Sequence, residues 1–130
     1  MRYAILLMGA PYSHQASHSA LRFAHAVLAR GHHLEAVFFY HDGVYNAARL
    51  AAPPQDEPHL VDAWMAIASE HRVALQVCIA AALRRGLLDE REAARHGKDG
   101  VSVEPPFELT GLGQLIDLGT RCDRLITFGP

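Results

Sequence analysis

A chain of 130 residues, 50% hydrophobic and 20% charged, suits one compact domain spanning residues 1–130 and leaves no room for separate catalytic and substrate domains. Its formal net charge of −2 and the absence of any Lys/Arg run remove a general attraction to phosphate backbones, so direct nucleic-acid binding is not expected. The opening apolar run is too short for a membrane helix and has no signal-peptide cleavage region, and the only two cysteines, Cys78 and Cys122, form no CxxC pair; free thiols in the cytoplasm are the expectation.

Tyr3 to Met8, stopped by Gly9-Ala10-Pro11, is continuously apolar and reads as a strand buried on both faces, as in parallel sheets. Ala20, Leu21, Ala24, Val27 and Leu28 then share one helical stripe that ends at Gly31,. Leu34 to Tyr40 is rich in β-formers and predicts a second strand,. After a break at Ala52-Pro53-Pro54, the residues Leu60, Val61, Trp64, Ile67 and Ala68 mark a second amphipathic helix,. Val73 to Ile79 predicts a third strand, followed by a short helix from Ala80 that stops at Gly86,. A further helical piece runs from Asp89 to His96, and Gly97 to Pro106 reads as a mobile, irregular excursion,. Leu109, Leu112, Leu115 and Ile116 predict a packed helix, and Arg124 to Phe128 a final strand,. This alternation implies an α/β fold, a mostly parallel sheet flanked by helices.

Reactive groups on such sheets gather beyond the C-terminal strand ends, where loops meet helix N-termini. Cys78 sits at that junction, where a following helix and unpaired backbone N–H groups favour an anionic sulfur nucleophile. A small core cysteine is the plain alternative. Cys122 has no helix start after it and reads as structural,. Arg84 and Arg85 lie about 9–10 Å beyond Cys78 along a helix; they are expected to cap that helix or pair with Asp89, Glu90 or Glu92, with a docking role as the alternative.

Other chemistries find little support. Among nine histidines, His14 and His18 have a helical i,i+4 spacing, but two ligands without a nearby carboxylate do not make a metal site. His32, His33 and His41 flank the second strand and receive no role,. Gly9-Ala10-Pro11 lacks the pattern of a phosphate cradle, and Pro11 removes a donor,. Ser13, Ser17 and Ser19 have no nucleophile-elbow setting and are expected to cap a helix or face solvent,.

Val37-Phe38-Phe39-Tyr40-His41-Asp42-Gly43-Val44-Tyr45-Asn46-Ala47 resembles the FFYxxGVYxA segment of the DsrE/TusD family of sulfurtransferases. Val73 to Gly86 is similar to that family's cysteine segment, and Leu109-Thr110-Gly111-Leu112-Gly113 with Cys122-Asp123-Arg124 resembles its closing region. The resemblance covers nearly the whole chain. It implies a DsrE-like single domain and a sulfurtransferase without metal or organic cofactor, carrying sulfane sulfur as a persulfide on Cys78. It further implies a TusA-like donor, a TusE-like acceptor, and 2-thiouridine formation at the tRNA wobble position as the end of the relay. The implied assembly is a hetero-oligomer with TusB-like and TusC-like subunits. Independently, the apolar Val37-Phe38-Phe39-Tyr40 and Gly43-Val44-Tyr45 segments suggest surface to be covered by another chain, with filling of the domain's own core as the alternative. A DsrE-like carrier in dissimilatory sulfur metabolism, a non-catalytic assembly subunit and a small-ligand binding module remain as alternatives. A persulfide exposed to solvent is open to reduction, so Cys78 is expected in a partly closed pocket, with the Gly97 to Pro106 excursion as its cover.

Overall fold

The computed structural model describes residues 1–130. Five strands, β1 (Arg2–Leu7), β2 (His33–Phe39), β3 (Ala74–Cys78), β4 (Phe107–Thr110) and β5 (Arg124–Phe128), form one sheet in the order β4-β3-β2-β1-β5. Every neighbouring pair is parallel. The helices are α1 (Ala16–Ala29), α2 (Leu60–His71), α3 (Ile79–Arg84), α4 (Glu90–Arg95) and α5 (Leu112–Arg121), with a 3₁₀ helix at His41–Ala47.

Chain direction fixes which helix covers which face. The steps from β1 to β2, β3 and β4 all move the same way across the sheet, so right-handed crossovers place α1 to α4 together on one side,. The return from β4 to β5 crosses the whole sheet in the opposite sense and puts α5 alone on the other side. Aromatic contacts agree with this division. Trp64 of α2 meets Phe39 edge-on at 5.6 Å, and Phe23 of α1 lies 5.8 Å from Tyr3 and 5.6 Å from Phe128. Trp64, Phe38, Phe39, Leu75 and Leu118 are essentially solvent-free, each such burial stabilising by about 1.5–3 kcal/mol.

Three expectations need correction. Phe107–Thr110 is a strand, β4, pairing with Leu75 to Cys78; four residues directly after Pro105-Pro106 are too few for a periodic signal, so Leu109 belongs to the sheet and not to the later helix. On α5 itself only Leu118 is buried, while Leu112 and Ile116 are 43% and 70% exposed. The third concerns Val37, Phe38, Phe39 and Val44, all completely buried in the domain's own core, so they offer no surface to another chain. The Gly97 to Pro106 excursion is tied to the body of the domain at residues 101–103. Leu88 O accepts from the backbone N–H groups of Ser102 and Val103, Arg49 donates to Val101 O, and Val103 is buried.

Candidate functional site

The C-terminal end of the sheet is built by the segment following β2. Tyr40 extends the ladder by donating its N–H to Leu7 O at 2.9 Å, and His41 turns the chain with a left-handed φ of +48°,. The 3₁₀ helix then crosses the end of β1 at close range. A Cβ on Gly43 would stand 2.1 Å from Leu7 O, so only glycine allows this approach. Beneath it lies a buried polar network centred on Asn46. Asn46 Nδ2 donates to Ser17 Oγ (3.1 Å) and Gly43 O (3.0 Å), and Trp64 Nε1 donates to Asn46 Oδ1 at 3.1 Å. Ser17 Oγ in turn donates to Gly9 O at 3.2 Å. Asn46, Ser17 and Trp64 are fully buried, so the network locks the 3₁₀ helix to α1, α2 and the loop after β1.

Cys78 is the last residue of β3 and the N-cap of α3, with extended φ −60° and ψ 116°. Its backbone leaves the sheet at the strand end, next to Thr110 of β4 in register. The residue is 2% exposed and its thiol is free. Because α3 has only six residues, its dipole is small, and what it offers the strand end is the local backbone N–H groups of its first turn.

Arg85 caps the C-terminal turn of α3, as expected, but departs from the expected ion pairing. Its Nε donates to Asp42 Oδ1 at 2.8 Å and its NH1 to Ala81 O at 3.0 Å, so the partner is the 3₁₀ helix and not Asp89, Glu90 or Glu92. This clasp ties the segment leaving Cys78 to the segment leaving β2. Asp89 instead caps α4, accepting from Glu92 N at 2.8 Å. Ser17 is neither a helix cap nor exposed, as its buried bonds show, and Gln15 is the N-cap of α1. His14 precedes α1, so it shares no helical face with His18. The Gly97 to Pro106 excursion walls a groove of about 930 Å³ with Asp89, Glu90 and Arg91; Cys78 is not in that wall. Sequence reasoning missed the network that joins Asn46, Ser17 and Trp64, and missed Asp42 as the partner of Arg85. The Gly43-to-Asn46 spacing, one turn of helix, is the signal that could have found part of it.

Cys122 lies at the opposite end of the sheet, just before β5. Burial, and then the neighbouring Glu35 carboxylate, push its thiol up from its usual value, which disfavours the nucleophilic thiolate.

A family model described as DsrE/DsrF-like matches residues 1–128. The chain is 52% identical to sulfurtransferase TusD of Salmonella newport over 128 residues, 98% of this chain and 100% of that protein. It is 49% identical to DsrE of Allochromatium vinosum over 129 residues, 99% of both chains. The crystal structure of the YchN protein from E. coli superposes with a TM-score of 0.73 at 19% identity, covering 98% of this chain and 100% of that one, which establishes the shared fold. Matched from end to end by the family model and by relatives at half identity, this chain belongs to the DsrE/DsrF-like family, among relatives named sulfurtransferases.

Proposed function

We propose that the chain carries sulfane sulfur as a persulfide on Cys78, taking it from a TusA-like donor and passing it to a TusE-like acceptor in a relay that ends in 2-thiouridine at the tRNA wobble position. The observation that carries this reading is a free cysteine at the C-terminal end of a parallel strand, in a chain 52% identical to a sulfurtransferase over its length. The Cys78 thiolate attacks the outer sulfur of the donor persulfide; that S–S bond breaks, the donor leaves as thiolate, and Cys78 holds the new S–S bond. Passage to the acceptor repeats the exchange with Cys78 as leaving group. These two exchanges need no cofactor.

In this proposal the protein works in the cytoplasm as one subunit of a hetero-oligomer with TusB-like and TusC-like chains, and leaves RNA binding to a separate enzyme. No helix is long and apolar enough to cross a membrane. The 49% identity to DsrE of Allochromatium vinosum supports a second reading, the same chemistry in dissimilatory sulfur metabolism. Intact-mass analysis after incubation with a persulfidated TusA-like donor tests the shared chemistry: wild type gains one sulfur and Cys78→Ser gains none. Retained loading in Cys78→Ser would falsify the assignment. Native mass measurement after co-expression with the two candidate partners tests the assembly, and a monomer that ignores both removes it.

A further inference from the structure

Gln76 stands out because its Oε1 is sealed from solvent and has no hydrogen-bond donor. Orphan buried acceptors are rare in folded chains and call for a reason. On β3, residues two apart share a face, so Gln76 lies on the same side as Cys78, its Cα roughly 7 Å away. The four neighbours of Gln76 on that face follow from strand and register: Ala74 and Cys78 along β3, Phe38 across on β2 and Glu108 across on β4. Ala74 and Phe38 have no polar side-chain atoms, and an ionised Glu108 only accepts. Of these four, Cys78 is the one with a side-chain hydrogen to offer; the hydroxyl of Thr110, diagonal to Gln76 on β4, shares the face but makes no bond to Oε1.

We propose that Gln76 is the residue that binds the sulfane sulfur of loaded Cys78, an inference that rests on the persulfide reading above. In the unloaded chain Gln76 Oε1 is unpartnered. Adding the outer sulfur extends the Cys78 side chain by about 2 Å, enough to bring an S–H within reach of a side chain that leans along the strand. A protonated persulfide donates to Oε1. An ionised one is served equally, since turning the carboxamide over presents Nε2–H at the same place. The pairing exists only in the loaded state, so it shifts the exchange equilibrium toward loading, as any group with differential affinity for one state does.

The test equilibrates the whole chain with cysteine persulfide and cysteine, in the reaction Cys78 thiolate plus cysteine persulfide giving Cys78 persulfide plus cysteine thiolate, and reads the loaded fraction by intact mass. Gln76→Leu and Gln76→Met keep the bulk and remove the amide. The expected result is a loading constant lowered about tenfold, with the unfolding midpoint of the unloaded variants no lower than wild type and alkylation of the unloaded Cys78 thiol unchanged. Equal loading of wild type and variants overturns the role of Gln76 while leaving Cys78 as carrier. Wild type that takes no sulfur at Cys78 instead removes the parent reading. Reduced loading accompanied by a lower midpoint or altered alkylation, or failure of both variants to fold, makes Gln76 a structural residue and overturns the inference; if only Gln76→Leu fails to fold, Gln76→Met decides.

Discussion

The two ends of the sheet are held by different physics, and each end has one cysteine. At the N-terminal strand ends the ties are exposed charges. Glu35 accepts from Arg2 at 2.8 Å and from Arg121, while Arg121 also donates to Asp117 at 2.6 Å, and Arg2 N donates to the Asp123 carboxylate at 2.7 Å. Cys122 is in this region. At the C-terminal ends the principal tie is the buried, uncharged Asn46 network, supplemented by the Arg85–Asp42 clasp. Buried neutral hydrogen bonds are directional and indifferent to salt and pH in the physiological range, whereas exposed ion pairs are screened. The end that places Cys78 is thus fixed chiefly by geometry, with the Arg85–Asp42 pair as its one screened tie, and the end that holds Cys122 is where the molecule responds most to solution conditions.

Exchanging the cysteines one at a time gives the largest expected contrast between the ends. Cys122→Ser should keep most of the sulfur loading of wild type, because burial and Glu35 already hold that thiol in its unreactive form, whereas Cys78→Ser should lose all of it. Peptide-level mass spectrometry after loading checks this. Sulfur found on the Cys122 peptide of wild type, with none on the Cys78 peptide, would reverse the assignment of the two ends.

Breaking the C-terminal framework comes next. Gly43→Ala drives a methyl group against Leu7 O, a backbone atom already engaged with Tyr40 N, and should cost about 3 kcal/mol. Asn46→Ala strands the Trp64 indole N–H and leaves Gly43 O without its side-chain donor; it should cost about 2 kcal/mol. Chemical denaturation measures both as a lowered midpoint at unchanged slope. A cost under about 0.5 kcal/mol for Asn46→Ala would show that the network does not hold this end together.

Which parts of this comparison were legible in the sequence follows from the range of each interaction. Strands β1, β2 and β3 announce themselves as apolar runs because they lie inside a parallel sheet, the edge strand β5 shows as a short run of β-formers although none of its residues is fully buried, and Cys78 is placed at its strand end by the Ala80-Ala81-Ala82 helix signal that follows. β4 was hidden, since its pairing with β3 is the only thing that makes four residues a strand. The Asn46 network joins positions 9, 17, 46 and 64, and no local pattern connects residues so far apart. Val44 illustrates the same limit from the other side: flanked by Gly43 and Tyr45 it looks like an exposed turn, yet the 3₁₀ helix turns it into the core. Arg85 finds Asp42 across 43 residues although three carboxylates stand within seven residues of it in sequence.

The smallest effect, and the sharpest test of the exposed end, is its dependence on pH. Hydrogen bonds from Arg2 and then Arg121 hold the Glu35 carboxyl at a pKa of about 2, below its ordinary value of 4.5. A carboxylate whose folded pKa is depressed stabilises the fold fully above its unfolded value and loses that contribution as pH falls through the folded one. Stability from Glu35 is therefore complete at pH 7, declines below about 4.5 and is gone below about 2. Glu35→Gln keeps the shape and removes the charge, and with partners this exposed to solvent the cost at pH 7 should be on the order of 1 kcal/mol. Denaturation of both proteins across that range should show the difference closing as acid is added. A difference that stays constant down to pH 2 would mean that Glu35 acts through packing rather than charge, and the distinction between an electrostatic end and a geometric end would then fail.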